Sequence, residues 1–156
     1  MLLFLMRHGS AEPGLGSDAD RRLTDRGRSE VQAIAHALQR ARYVPGVIVH
    51  SPLVRSRQSA DLLSAWFGGL RCVELPEVVE GGDTLMAKLQ ELGLDAPLVV
   101  GHEPGIPRLA TKLTGLTERM LFHCAAVAVL SVESLAPRAS ARLLLFMDPH
   151  VLGSAP

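Results

Sequence analysis

Cysteine is scarce: two in 156 residues, Cys72 and Cys124. They lie far apart and form no CxxC pair. A disulfide framework or a zinc site therefore has nothing to build on, and both thiols are expected as small buried side chains in a reducing compartment. Surplus charge is missing too. Sixteen Lys+Arg balance sixteen Asp+Glu, so no global field draws the chain to nucleic acid or to an anionic membrane. The apolar opening run, Met1 to Met6, stops at Arg7. It has neither the length of a membrane span nor the basic start and cleavage site of a signal peptide. Repeats, low-complexity tracts and interdomain linkers are also absent. These absences predict a soluble, cytoplasmic, monomeric protein with no nucleic-acid or membrane partner.

What is present is a core. Hydrophobic residues make up 47% of the chain, and its length suits one domain, 1–148, followed by a loose tail, 149–156. Short apolar runs at 2–6, 47–50 and 97–101 read as strands buried on both faces. A shorter strand is expected at 71–75. Thr24 is placed to cap a helix over 25–42, in which Val31, Ile34, Ala35 and Leu38 share one face. Ser51-Pro52 supplies an N-cap followed by Pro at N1 for a helix ending near Phe67. Asp83 is placed to cap a helix to Leu92, and Pro104 opens another to Leu113. The segments 124–132 and 141–147 have a short connection, which suits an antiparallel pair. Strands alternating with helices predict a single α/β domain. Its central sheet is mostly parallel, with helices on both faces and an antiparallel edge.

In such sheets ligands bind outside the carboxyl ends of the strands. Three strand ends carry chemistry: Arg7-His8-Gly9, Ser51-Pro52-Leu53-Val54-Arg55 and Gly101-His102-Glu103-Pro104. One histidine after a strand is usually a satisfied loop residue, and one arginine in a first helical turn is usually solvated. Three strand ends each supplying a donor are not explained that way. Two arginines, two histidines and helix N-termini on one spot would make an anion site, with phosphate the obvious anion.

These motifs resemble the histidine phosphatase superfamily. The resemblance rests on RHG (7–9), LTDRG (23–27), SPLVRSRQSA (51–60) and VVGHEPGI (99–106), in family order. It covers most of the chain. The short length is similar to the compact phosphohistidine phosphatase (SixA-like) branch, which has the phosphoglycerate-mutase-like fold without a lid insertion. The resemblance implies that His8 is the nucleophile and forms a phosphohistidine intermediate. Arg7, Arg55 and His102 would bind the phosphoryl oxygens, with Gly9, Ser51 and Gly101 supporting them. It implies no metal and no cofactor, since cationic side chains neutralise the transferring group. The expected substrate is a protein phosphohistidine. A small-molecule phosphomonoesterase or mutase is the rival enzyme, and a retired phosphate-binding module the rival of another class. The chain departs from the family pattern at Arg22, Ser59 and Glu103. Glu103 matters most, because a carboxylate beside phosphate repels it unless it points away.

The general acid is open at this level. Glu77 and Glu80 follow the third strand, where larger relatives place a glutamic acid. Glu80 is the preferred candidate, and solvated loop carboxylates are the alternative. His36, His123 and His150 carry no assigned role, His50 reads as core packing, and no His/Asp spacing suggests a metal site. Arg21, Arg22, Arg26 and Arg28 form a basic group, read as a solvated face or a hold on an acidic phosphoprotein.

Overall fold

The computed structural model describes residues 1–14, 16–134 and 139–152. Six strands form one sheet: β1 (Leu2–Arg7), β2 (Val47–His50), β3 (Cys72–Glu74), β4 (Pro97–Gly101), β5 (Val127–Ser134) and β6 (Ser140–Met147). Their order is β3-β2-β4-β1-β5-β6. The first four are parallel, while β5 pairs antiparallel with β1 and with β6. The expected α/β sheet with an antiparallel edge is therefore the one observed.

Among the described residues four α-helices cover it: α1 (Asp25–Arg40), α2 (Val54–Trp66), α3 (Gly82–Leu92) and α4 (Gly105–Thr114). Strand periodicity assigns each side chain of β1 a layer. Leu3 and Leu5 join Leu85, Leu89, Leu109 and Leu113 of α3 and α4. Phe4 and Met6 join Val31, Ile34, Leu38 and Leu63 of α1 and α2. A strand buried on both faces has no room for polar alternation, which is why β1, β2 and β4 read as unbroken apolar runs. Burying each large side chain contributes about 1.5–3 kcal/mol.

Two helix starts differ from expectation. Thr24 does cap α1, its Oγ1 accepting from the Gly27 N–H at 2.9 Å. Ser51 does not cap α2. The helix begins at Val54, and Leu53 occupies the cap position with no side-chain bond. Asp83 lies inside the first turn of α3, behind Gly81 at φ 69°, and pairs instead with Lys112 of α4. For Asp83 a tertiary partner claims the side chain that local capping would have used, whereas Ser51 Oγ still accepts from the Leu53 N–H at 3.3 Å.

The thiols also differ from expectation. Cys72 is exposed and Cys124 half-buried. Cys72 lies on β3, the edge strand, with one flank unpaired. Cys124 lies in the turn before β5, on a cavity wall.

Candidate active site

The sheet order puts β4 between β1 and β2, so the carboxyl ends of all three are adjacent. Register aligns them: Arg7 faces Gly101, and His50 faces Val100. His8, Ser51 and His102 therefore leave the sheet side by side. The His8 N–H donates to the Gly101 carbonyl (3.0 Å), and the Ala125 N–H donates to the His8 carbonyl (2.9 Å). His8 is thus clamped between β4 and the turn before β5.

The backbone there is tightly packed. A Cβ on Gly9 would stand 2.6 Å from the Gly27 carbonyl oxygen, and one on Gly101 would meet Ile106 at 2.7 Å. Any side chain at position 9 would push the loop off the N-terminus of α1. The Gly9 N–H is also spent, donating to Ser59 Oγ at 3.1 Å, while Ser59 donates to the Arg55 carbonyl at 2.8 Å. A hydroxyl suffices for that bridge, so serine at position 59 costs the site nothing visible.

Arg7, His8, Arg55 and His102 line one cavity of about 300 Å³, with Ser10, Ala11, Arg21, Glu103 and Cys124. His8 is buried, and its Nδ1 lies 2.7 Å from the Gly9 carbonyl, which can only accept. Nδ1 therefore carries the proton and Nε2 is bare. Arg55 donates from Nε to that Nε2 at 3.2 Å. Burial is the main cause holding the His8 pKa down at about 3. The Gly9 carbonyl opposes it, and His102, Arg55 and Arg7 add to the depression. Burial first, then Arg55 and Arg7 against the opposing Asp18, lowers His102 to about 4. Both rings are neutral at physiological pH, 5.1 Å apart between centroids.

The remaining contacts sort held atoms from open ones. Arg7 donates from one terminal nitrogen to the Phe122 carbonyl at 2.9 Å, while its Nε is buried without a partner. Ser51 Oγ accepts from the Leu53 N–H at 3.3 Å and lies 2.6 Å from His102 Nε2, and His102 Nδ1 is buried without a partner.

Asp18 was not legible as a site residue. It belongs to a three-residue 3-10 turn, Asp18–Asp20, in the loop after β1. Its carbonyl accepts from Arg55 at 2.8 Å and its carboxylate at 3.0 Å. Hydrogen bonds from Arg21 and then Arg55 hold its carboxyl below the usual range. Of the basic group, Arg21 lines the cavity, whereas Arg26 pairs with Glu30 at 3.2 Å. Glu103 reaches the cavity wall but is paired with Arg119, which offsets the expected repulsion.

Glu80 is not brought to this set. It is exposed, and with Glu77 it lines a separate hollow of about 230 Å³ beside Gly81 and Thr84. The reason is local packing: the turn at Gly81 presses against Gly105, and the Glu80 carbonyl, not its carboxylate, faces α4. His50 is buried, with Nδ1 2.8 Å from the Ser51 carbonyl, and His36 stacks at a tilt near Trp66 on the surface.

A family model described as histidine phosphatase superfamily (branch 1) matches residues 3–91. Phosphohistidine phosphatase SixA of Escherichia coli (strain K12) is 29% identical over 139 residues, spanning 85% of this chain and 86% of the relative. An uncharacterised protein from a Picosynechococcus strain is 35% identical over 117 residues, 68% of each chain. The solved structure of the protein histidine phosphatase SixA complexed with tungstate superposes with a TM-score of 0.87 at 26% identity, covering 98% of this chain and all, 100%, of that one.

Proposed function

This chain belongs to the histidine phosphatase superfamily, and from that premise we propose that it hydrolyses phosphohistidine on a protein through a covalent phosphoenzyme at His8. The observation that carries the proposal is the bare His8 Nε2. It is oriented by the Gly9 carbonyl and belongs to a cavity that Arg7, Arg55 and His102 also line.

In the proposed reaction the phosphoryl group enters with its oxygens against Arg7, Arg55 and His102. Arg55 releases His8 Nε2 as the phosphoryl oxygens take over its donors. Nε2 attacks phosphorus as the substrate P–N bond breaks and the substrate imidazole, already protonated on its other nitrogen, leaves neutral, and the positive charges stabilise the equatorial oxygens of the transition state. His8 becomes a cation when it is phosphorylated, and the Gly9 carbonyl, accepting from Nδ1–H, stabilises that state. Water then attacks phosphorus in line as the His8 P–N bond breaks, its proton passing to the phosphate or to solvent, and His8 leaves as a neutral imidazole. Arginine forks supply the clamp that a metal supplies elsewhere, so turnover needs no divalent ion.

Leaving-group chemistry favours phosphohistidine over esters. A departing imidazole can already carry a proton on its second nitrogen, whereas an alkoxide needs an acid in the transition state. Among the described residues Glu103 is the carboxylate that lines the cavity, and it is paired with Arg119, while Asp18 is held by Arg55, Glu30 by Ser10 and Arg26, and Glu80 lies elsewhere. Similarity to SixA supports the same substrate class.

The test is a turnover screen of a phosphohistidine protein against aryl and sugar phosphates, in excess EDTA. The expected result is phosphohistidine ahead of sugar phosphates in kcat/KM by more than about tenfold, or 1.4 kcal/mol of transition-state stabilisation. Tungstate and vanadate should inhibit. Equal or better rates on a sugar phosphate would instead make the chain a small-molecule phosphomonoesterase or mutase. No turnover on any of them would make it a phosphate-binding module.

A further inference from the structure

On the outer side of the turn that clamps His8, the fold collects a second group of ligating side chains. His123 precedes β5, while Asp148 and His150 follow β6. One donor atom from each lies within 4.8 Å of the other two. We propose that His123, Asp148 and His150 form a binding site for one divalent transition ion of the Zn²⁺ type, separate from the phosphate cavity and not required for turnover.

Two imidazoles and one carboxylate are donors that suit Zn²⁺, Ni²⁺ or Cu²⁺ rather than Mg²⁺ or Ca²⁺. The carboxylate is preset. Asp148 is only 9% exposed, and its Oδ1 accepts from the His150 N–H at 2.9 Å. Oδ2 then faces His123 Nδ1 at 2.5 Å. The Val151 and Leu152 N–H groups donate to the Asp148 carbonyl at 3.0 and 3.1 Å, closing the turn that carries His150. The two imidazole rings meet edge to face with centroids 5.0 Å apart.

In the ion-free state a proton lies between His123 Nδ1 and Asp148 Oδ2. A divalent ion would take that proton's place while the His123 ring keeps its one N–H at Nε2, with Zn–N and Zn–O distances of about 2.0–2.2 Å. The donor set would have to adjust by roughly an ångström, which the exposed histidines permit and the buried aspartate need not. Arg26 already places a cationic nitrogen 3.3 Å from His150 Nδ1. That nitrogen therefore has a lone pair to offer. Arg26 is 70% exposed and has Glu30 as its other partner, so it can yield the position. Water would complete a four-coordinate shell.

The experiment is calorimetric titration of the metal-stripped full chain with Zn²⁺ at neutral pH, with thermal unfolding followed in parallel. One equivalent should bind with micromolar or tighter affinity and raise Tm, while Mg²⁺ should do neither. His123→Ala and His150→Ala should each weaken Zn²⁺ binding at least tenfold, and His36→Ala, at an exposed histidine on α1, should not. Aryl phosphatase activity of each metal-free variant reports that it has folded. His150→Ala, on the exposed turn, carries the test if His123→Ala does not fold. Absence of saturable Zn²⁺ binding would overturn the proposal. So would affinity unchanged in both histidine variants, which would place the ion at the cavity histidines or a thiol. In either case the cluster is a hydrogen-bonded brace for the β5–β6 edge. Activity persisting in EDTA bears on the phosphatase reading alone, so the two proposals fail separately.

Discussion

Arg55 donates through Nε to Nε2 of His8 across 3.2 Å, so one guanidinium contacts the proposed nucleophile, which burial above all keeps unprotonated, while Asp18 holds that guanidinium from its far end. Protonation of His8 would place two cations in contact inside a buried cavity. Attack on phosphorus, by contrast, needs only that Arg55 exchange one acceptor for another.

His8→Ala is expected to abolish turnover and the acid-labile phosphoenzyme while leaving the fold intact, because His8 lies at the end of β1 beyond the core. Phosphoenzyme trapping on acid-quenched gels, beside circular dichroism, checks both halves. Substantial residual turnover would remove His8 from the role.

Arg55→Lys should lower kcat/KM by at least about 100-fold, since an ammonium cannot contact His8 and Asp18 at once in the fork geometry that arginine supplies. Stability should change little by comparison. Steady-state kinetics with an aryl phosphate and a urea midpoint separate these, and a loss below tenfold would mean that Arg55 is not a principal phosphoryl ligand.

The depressed histidines give a pH dependence of definite sign. The folded-state values, about 3 for His8 and about 4 for His102, lie below the ordinary 6.5. Above pH 6.5 neither state binds these protons and their contribution to stability is fully present. As pH falls from 6.5 towards 3, the unfolded chain takes up protons that the folded chain refuses, and stability is lost. His8→Asn removes one such group, so it should lose less stability than the parent between pH 7.5 and pH 4.5. Urea midpoints at the two pH values decide it, and parallel losses would contradict the burial of an uncharged His8.

In kinetics the same depression should move the acid limb of kcat/KM well below 6.5 once the second ionisation of the substrate phosphate is divided out, because that ratio reports the free enzyme. An acid limb near 6.5 in the corrected profile would argue against either ring acting as a neutral imidazole.

Glu80→Gln should change kcat/KM by no more than about twofold for phosphohistidine, aryl or alkyl substrates, since its carboxylate lies in a hollow apart from His8. Sequence position alone had favoured Glu80 as the acid. A selective loss of ester turnover would restore it to that role and imply that the segment between β3 and α3 moves when substrate binds.

The sequence by itself determined the parts that depend on local patterning. Unbroken apolar runs mark β1, β2 and β4 because strands buried on both faces admit no polar alternation. Arg7, His8 and His102 could be picked out because each stands at or just beyond such a run, and Arg55 because it lies in the first turn of the helix that follows β2. Which strands lie side by side was decided only by tertiary structure, and every departure follows from that. Ser51 had the right spacing to cap α2, but β4 lies next to β2 and brings His102 to its hydroxyl. Asp83 looked like the cap of α3 until α4 supplied Lys112. Asp18 sits in a loop with nothing to distinguish it from Asp20, and only the return of that loop over α2 brings it to Arg55. Cys124 looked like a core residue and became a cavity wall. His123 and Asp148 are 25 positions apart, and they meet because β5 and β6 are antiparallel neighbours, which sets the start of β5 beside the end of β6. Backbone preference is written in neighbouring residues, whereas a contact between side chains requires the register between strands, which no single segment contains.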